Sequence, residues 1–182
     1  MPELEKADDA GAEADDAAPE APEPREIHGH PVTEALGETT VHPPREALAD
    51  LVRALRDEAW LMCLDVTAVD HLANAGDRVL PEGVTPERFE VVVMLINHRD
   101  PARLRIKVQV PEGDPTVPTL FEVHPGTEAL EREVFDMFGI AFEGHPDLTR
   151  ILMPEDWDGH PLRKDYAVGR IPVQFKGDPG PR

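Results

Sequence analysis

The sequence predicts an α+β fold in which two helices pack on a mainly antiparallel sheet. Apolar residues recur with helical periodicity at residues 45–56 and again at 127–139. Between these helices lie three segments rich in apolar and β-branched residues, at 60–69, 89–96 and 104–110. A chain of 182 residues, 40% of them hydrophobic, has enough material for one domain with a buried core.

The first helix is predicted to begin just after Pro43 and Pro44, because proline suits the first turn of a helix. Its apolar residues recur three and four positions apart and form one stripe, consisting of Leu48, Leu51, Val52 and Leu55. Charged residues occupy the other side. We therefore expect this helix to pack on the sheet through the stripe.

The last two strand segments differ in pattern and so in predicted environment. Residues 89–96 are apolar throughout except for Glu90, which predicts a central strand covered on both faces. Residues 104–110 alternate apolar side chains with basic or amide ones, which predicts a strand with one face in water. Since only a short turn through Asp100 and Pro101 separates them, we expect an antiparallel hairpin.

The second helix has a residue suited to each end. Thr127 can cap the first turn with its hydroxyl, and Gly139 suits the left-handed residue that closes a helix. Glu128 with Arg132, and Arg132 with Asp136, are oppositely charged pairs one turn apart. The stripe predicted to be buried consists of Leu130, Val134, Met137 and Phe138.

Two further carboxylates on this helix, Glu131 and Glu133, could suggest acid–base catalysis. Residues two apart on a helix point about 200° away from each other, so these two cannot act on one reacting centre. Glu133 lies at the edge of the apolar stripe and is predicted to be partly buried. Carboxylates interleaved with guanidinium groups fit protein docking better, because desolvated charge pairs fix register and specificity.

The rest of the chain is predicted to lie outside a packed domain of residues 41–139. Residues 1–40 are predicted to form a disordered acidic tail, since the first 26 hold ten acidic and two basic residues and little to bury. Residues 140–182 are rich in Gly and Pro yet contain scattered large apolar residues, which predicts an extended arm. Such an arm either folds back over its own domain or wraps a partner, and we favour the partner.

Composition and motifs disfavour several classes of partner and cofactor site. The formal charge of −19 disfavours nucleic acid and anionic lipid as direct partners, and we expect neither a signal peptide nor direct membrane insertion. The single cysteine, Cys63, cannot hold an iron–sulfur cluster or close an intrachain disulfide. The sequence also lacks the glycine-rich loops of nucleotide sites and the paired spacing of metal sites, so no cofactor is predicted to bind this chain.

The histidines leave one metal hypothesis open. His124, His145 and His160 each precede proline, and they could converge with Glu133 or Asp147 around a metal ion. That arrangement would make the chain a free-standing metal-dependent hydrolase. We favour capping and interface hydrogen bonds, because residues before proline lie in turns or extended backbone and not on a shared helix face.

Three motifs in the last third of the chain resemble a known family. Residues 131–140 read Glu-Arg-Glu-Val-Phe-Asp-Met-Phe-Gly-Ile, residues 144–148 read Gly-His-Pro-Asp-Leu, and residues 160–166 read His-Pro-Leu-Arg-Lys-Asp-Tyr. Together they are similar to the signature of the C subunit of respiratory complex I, the proton-translocating NADH:quinone oxidoreductase of bacterial type. The resemblance is close over residues 118–168. The family usually has Trp, a basic residue and Pro at three positions where this chain departs from it, namely Ala129, Thr149 and Ala167.

The resemblance implies a cofactor-free structural and assembly subunit of the hydrophilic arm of that complex. The whole complex passes electrons from NADH through FMN and iron–sulfur clusters, which lie in partner subunits, to quinone, and couples this to proton translocation. The implied partners are chiefly the D subunit, which forms the quinone chamber, and the neighbouring iron–sulfur subunits. The implied location is the cytoplasmic face of the cell membrane, where partner subunits hold the chain peripherally.

The resemblance also fits the equivalent subunit of a related membrane-bound hydrogenase or dehydrogenase. In either case the same charged and histidine side chains in the three motifs are the predicted interface residues, and none is predicted to be catalytic. They are Glu131, Arg132, Glu133, Asp136, His145, Asp147, Arg150, His160, Arg163, Lys164 and Asp165.

Overall fold

A six-stranded sheet organises the chain in this computed structural model, which describes residues 25–74, 78 and 80–167. Short 3-10 turns, Arg45–Ala47 and Pro125–Thr127, lead into the two α-helices. The α+β class predicted from the sequence is confirmed. In chain order the elements are β1 (Glu26–Ile27), β2 (His30–Ala35), β3 (Glu38–Val41), α1 (Leu48–Asp57), β4 (Met62–Asp70), β5 (Phe89–Asn97), β6 (Ala102–Val110), β7 (Thr116–Pro118), α2 (Glu128–Phe138) and β8 (Ala141–Glu143).

The strands of the large sheet lie in the order β1-β2-β3-β6-β5-β4, and within the described residues its single parallel pair is β3 with β6. β5 and β6 form the predicted antiparallel hairpin, in which Phe89 lies opposite Val110 and Asn97 opposite Ala102. β7 and β8 form a separate parallel pair. The sheet is therefore mainly antiparallel, as predicted.

The core lies on the face of the sheet where alternate side chains of β5 are completely covered. Phe89, Val91, Val93 and Leu95 have no accessible surface. The predicted stripe of α1 is buried in the same cluster, through Leu48, Leu51, Val52 and Leu55. The helix packs on the sheet through this stripe, as its periodicity predicts.

The opposite face of β5 is not covered in this way. Val92, Met94 and Ile96 alternate with the buried residues and are only half-buried. The prediction that this strand is covered on both faces is therefore wrong. A continuous run of apolar residues indicates that both faces avoid water, but it does not say whether the second covering layer belongs to the same chain.

Residues 26–40 form strands, although their composition predicts a disordered tail through residue 40. Two-residue turns at His28-Gly29 and Leu36-Gly37 join β1 to β2 and β2 to β3, and all four turn residues have positive φ. This is the backbone conformation of the tightest hairpins. β3 then joins the central sheet by pairing with β6, which local composition cannot reveal. Residues 1–24 lie outside the described residues.

The helices of this fold are short. Neither α1 nor α2, the two α-helices within residues 25–74, 78 and 80–167, is long and apolar enough to cross a membrane.

Candidate protein-docking site

The second helix is fixed at both ends. α2 ends at Gly139, whose φ of 71° is the predicted left-handed conformation. Thr127 occupies the N-cap position but does not make the predicted cap bond, because its hydroxyl donates to Glu131 Oε1 at 2.7 Å. The predicted apolar stripe packs on the core through Leu130, Val134, Met137 and Phe138.

Glu131 is a fully buried carboxylate of α2. Besides the Thr127 hydroxyl, it accepts hydrogen bonds from the Thr119 hydroxyl at 2.5 Å and the Leu120 amide at 2.8 Å. It therefore holds the helix to the segment before it and does not reach the surface. The prediction that Glu133 is the partly buried carboxylate is wrong, since the helix turns Glu131 inward and leaves Glu133 exposed.

Asp136 is the second fully buried carboxylate of α2, and it clamps the arm that follows the helix. Its Oδ2 accepts the backbone amides of Ile151 at 3.1 Å, Leu152 at 2.8 Å and Met153 at 2.8 Å, while Oδ1 accepts Arg150 Nη1 at 2.7 Å. Burial by itself raises the pKa of Asp136, but the amide and guanidinium bonds outweigh it and hold the pKa below its ordinary value. The predicted pair of Asp136 with Arg132 is replaced by the pair with Arg150.

Arg132 and His145 attach the first part of the arm to the exposed side of α2. The Arg132 guanidinium donates to the Thr149 carbonyl at 3.1 Å and the Thr149 hydroxyl at 2.9 Å, and it also makes the predicted pair with Glu128 at 3.5 Å. His145 Nε2 donates to the Glu128 carbonyl at 3.1 Å, while its Nδ1 accepts the Asp147 amide at 3.1 Å. The neutral ring with its proton on Nε2 satisfies both bonds.

The last carbonyls of α2 have no partner within the helix, and the arm supplies one for each. His160 Nδ1 donates to the Asp136 carbonyl at 2.9 Å, the Leu162 amide to Met137 at 3.1 Å and Arg163 Nε to Phe138 at 2.5 Å. Gly139 makes this approach possible, since a Cβ at that position would lie 2.5 Å from His160 Nε2 and 2.7 Å from Arg163 Nη2.

A charged cluster lies where β4 ends and β5 begins, and it holds residues 164 and 165 of the arm. Arg88 pairs with Asp70 at 2.9 Å and with Asp165 at 2.8 Å, and the Lys164 amide donates to Asp70 Oδ2 at 2.9 Å. Burial raises the pKa of Asp70, but the bonds from Arg88 and the amides dominate and lower it to about 2. Arg88 and Arg163 also lie over the ring of Phe89, with centroid distances of 4.8 and 5.1 Å.

The described part of the arm thus lies on its own domain, yet it leaves three large apolar side chains exposed. Ile151 is 42% exposed, Leu152 59% and Leu162 49%. We call these three residues, together with the exposed charged side chains Glu133, Asp147, Lys164 and Asp165, the arm face. Large apolar side chains that stay exposed on a scaffold fixed by hydrogen bonds, with charged side chains exposed in the same segments, are typical of a protein-docking surface.

The predicted interface residues therefore divide by position. Glu131 and Asp136 are enclosed in this chain, whereas Arg132, His145, Arg150, His160 and Arg163 are half-buried supports. The four exposed ones lie on the arm face. Sequence reasoning did not identify the supports Asp70, Arg88 and Thr119, because no local pattern links residues that lie 12 to 94 positions from their partners in the chain.

The metal hypothesis gains no support from the described residues, in which no group of three or more His, Cys, Asp or Glu side chains is placed to hold a metal ion. His145 and His160 are engaged with backbone carbonyls instead. His124 is buried, and burial lowers the pKa of its ring, as does the charge of Arg56.

A family model described as the 30 kDa subunit of respiratory-chain NADH dehydrogenase matches residues 41–171 of this chain. The C subunit of NADH-quinone oxidoreductase from Saccharopolyspora erythraea is 45% identical over 149 residues, which is 80% of this chain and 56% of that protein. The chain therefore spans little more than half the length of the curated relatives it matches.

Two solved structures share the fold. A trypsin-resistant fragment of Nqo5 superposes with a TM-score of 0.57 at 36% identity and covers 66% of this chain and 90% of the fragment. A chain of the membrane-bound sulfane sulfur reductase, an archaeal respiratory membrane complex, superposes with a TM-score of 0.60 at 24% identity and covers 80% of this chain and 85% of that one. At that level of identity the second structure shows only the similarity of fold.

Proposed function

We propose, because this chain belongs to the family of respiratory-chain NADH dehydrogenase 30 kDa subunits, that it is a structural and assembly subunit of the hydrophilic arm of an NADH:quinone oxidoreductase (complex I). In such an assembly, electrons pass from NADH through FMN and iron–sulfur clusters to quinone, and this transfer is coupled to proton translocation. The contribution of this chain is to hold partner subunits in position. It performs no redox step itself.

The observation that carries this proposal is the way α2 builds the arm face. Two enclosed carboxylates fix the helix and the arm, the arm caps the helix carbonyls, and the result presents Ile151, Leu152 and Leu162 to solvent in a fixed arrangement. In an enzyme site, polar groups converge on a cavity. Here the polar groups are used in hydrogen bonds that hold α2 and the arm together, and the apolar side chains are the ones left exposed. That is the arrangement of a docking surface.

The chain's own residues support a role without a bound cofactor. FMN and the iron–sulfur clusters belong to partner subunits in this proposal, since one cysteine supplies one of about four thiolates that a cluster needs. Burial raises the pKa of Cys63 to about 11, so its thiol stays protonated near neutral pH.

The proposed partners are other complex I subunits, chiefly the quinone-chamber D subunit and the neighbouring iron–sulfur subunits. The arm face combines three exposed apolar side chains with the carboxylates of Glu133 and Asp147, while its Asp165 already pairs with Arg88 and its Lys164 adds one positive charge. It therefore fits a partner surface that offers an apolar pocket and basic side chains for the two carboxylates. Through such contacts the chain is held peripherally at the cytoplasmic face of the cell membrane.

The test is affinity purification of the tagged full-length chain from gently solubilised membranes, followed by an assay of NADH:quinone reductase activity. We expect a flavin- and iron–sulfur-containing assembly with that activity. Recovery with input subunits for a donor other than NADH would instead make the chain the equivalent subunit of a related hydrogenase or dehydrogenase. Recovery of the chain alone would overturn the proposal.

A variant pair tests the arm face itself. Leu152→Gln removes the most exposed apolar side chain of the arm face, while Leu36→Gln changes a still more exposed leucine on the turn between β2 and β3. Both variants should keep the stability of the free chain, because neither side chain is buried. We expect only Leu152→Gln to reduce the amount of assembled complex, and equal assembly of the two variants would exclude docking through Leu152.

A further inference from the structure

The large sheet has a second apolar surface, on the face opposite the core. Both helices contribute their buried residues to the cluster that contains Val91 and Val93, so both lie on that side of the sheet. The side chains that alternate with these, Val92, Met94 and Ile96, form an apolar column that no described helix covers. Beside it on β4 lie Val69, which is 37% exposed, and Met62, which is 48% exposed.

The strand register places a row of basic residues along one side of this column. Ile96 lies opposite Arg103, Met94 opposite Arg105 and Val92 opposite Lys107 on β6. Side chains opposite each other in a sheet share a face, so the column and the basic row lie side by side.

The other side of the column, on β4, carries one acidic residue and no basic one. Asp65 lies opposite Met94, and Thr67 opposite Val92. The part of the face that Val92 and Met94 occupy is concave, with a volume of about 360 Å³ between Thr67 on β4 and Lys107 on β6. A concentration of positive charge along one edge of a concave apolar strip is notable in a chain whose formal charge is −19.

We propose that this open sheet face docks an amphipathic helix of a second partner subunit. The apolar stripe of the helix packs on Val92, Met94 and Ile96, and an acidic edge of the helix lies along Arg103, Arg105 and Lys107. The column spans about 13 Å, which corresponds to roughly two and a half helical turns. This inference rests on the proposed function, because it takes the partner to be another subunit of the same assembly.

The composition of the chain's own terminal segments argues against either of them as the occupant. Residues 1–24 are acidic, which suits the basic row, but apart from Met1 their only large apolar side chain is Leu4, which cannot fill the column. Residues 168–182 contain Ile171, Val173 and Phe175, but they carry three basic residues and one acidic residue, so they would meet like charge along β6.

The two ion pairs that the basic row already makes are compatible with an incoming acidic edge. Lys107 lies 3.0 Å from Glu90, which is 2% exposed, and Arg105 lies 2.6 Å from Glu38. Both cations remain partly exposed, and Arg103 is exposed. Additional carboxylates would thus extend an existing charge network instead of burying an unpaired charge.

Photo-crosslinking in the assembled complex tests the inference. The crosslinking residue p-benzoylphenylalanine replaces Met94 in one full-length chain and Leu152 in another, and the crosslinked peptides are identified by mass spectrometry. We expect Met94 to yield a peptide of a partner subunit with helical apolar periodicity and an acidic edge, different from the peptide captured at Leu152. The inference would be overturned if position 94 crosslinked to residues 1–24 or 168–182 of this chain or to a second copy. It would also be overturned if position 94 gave no crosslink while position 152 did. Neither outcome would overturn the proposed function.

A pair of substitutions gives an independent measure. Met94→Glu places a carboxylate between Arg105 on β6 and Asp65 on β4, so in the free chain the attraction of Arg105 offsets the repulsion of Asp65. The same carboxylate lies within the apolar column, where a docked helix would bury it. We expect it to lower incorporation into the complex about tenfold or more, and Met94→Leu to leave it unchanged. Normal incorporation of Met94→Glu overturns the inference, whereas recovery of the wild-type chain alone overturns both this inference and the proposed function.

Discussion

The buried carboxylate of Asp136 accepts the backbone amide of Leu152 at 2.8 Å, so a fully enclosed group on α2 fixes a side chain that is 59% exposed. The same carboxylate holds the amides on either side of Leu152 and the guanidinium of Arg150. The charge of Asp136 is thus used entirely inside the chain. Asp136 can therefore affect a partner subunit only by holding the arm in position.

Asp136→Asn should destabilise the chain and loosen the arm. The amide keeps the size of the carboxylate but loses the charge that pairs with Arg150, and in either orientation its NH₂ faces donors, which are Arg150 on one side and the amides of residues 151–153 on the other. We expect a loss of about 3 kcal/mol or more in the free energy of unfolding, as for other broken buried pairs. Chemical denaturation measures it, and Asp147→Asn, at an exposed carboxylate of the same arm, is the control.

Gly139→Ala should disturb the junction of α2 with the arm. The substituted residue would have to adopt a φ of 71° and would place its Cβ 2.5 Å from His160 Nε2. The left-handed backbone alone costs about 1–2 kcal/mol, and displacement of His160 and Arg163 adds to this. Gly113→Ala is the matched control, since a Cβ there meets no atom within 4 Å. Equal thermal stability of the two variants would contradict the structure of this junction.

The Asp70 carboxylate should make the stability of the chain depend on acidic pH. Its pKa in the folded chain is about 2, below the ordinary value of 3.8, so the unfolded chain binds the proton first as pH falls. The stabilisation, about 2 kcal/mol, is present above pH 4 and is lost between about pH 4 and pH 2. In urea titrations over this range Asp70→Asn should lose less stability than the wild type. Asp57→Asn, at an exposed carboxylate, is the control for the loss of one negative charge.

Glu133→Ala should reduce assembly without changing the stability of the free chain. Glu133 is an exposed carboxylate of the arm face, so its removal should alter the free energy of unfolding by less than about 0.5 kcal/mol. Its contribution appears only where a partner desolvates it. Native gel electrophoresis of solubilised membranes measures the amount of complex, with Glu122→Ala as the exposed control. Full assembly of Glu133→Ala would remove this residue from the docking surface.

The folded domain should begin between residues 24 and 35. Deletion of residues 1–24 removes no described strand, so folding and assembly should be unchanged. Deletion of residues 1–35 removes β1 and β2 and leaves β3 as an unpaired edge, so soluble yield and melting temperature should fall. If the shorter deletion abolished the complex, the acidic segment would have a role in assembly that this structure does not describe.

The sequence by itself determined the elements that depend on local physics. The stripe of α1, the hairpin of β5 and β6, and the end of α2 at Gly139 follow from apolar periodicity and from the conformational freedom of glycine. The three motifs were also sufficient to identify the family, and the family model that matches residues 41–171 confirms it.

Apart from the predicted pair of Glu128 with Arg132, tertiary structure decided which charged groups of the three motifs meet. The sequence placed Glu133 nearest the interior, but the packing of α2 rotates Glu131 inward, because the Thr119 hydroxyl and the Leu120 amide offer donors only on that side. Arg88 and Asp165 are 77 positions apart, and no local pattern relates them. Such contacts depend on the approach of distant segments, which requires the whole fold.

The same reason explains the strands that composition concealed. Residues 26–40 have little to bury on their own, and they form strands because β6 supplies backbone partners for β3. Conversely, the apolar run of β5 did not reveal that one face of the strand is only half-buried in this chain. Hydrophobicity in a sequence indicates that a residue is buried, but it does not show whether the same chain or a partner covers it. Local preference thus specified the elements, and long-range contact specified the surfaces they present.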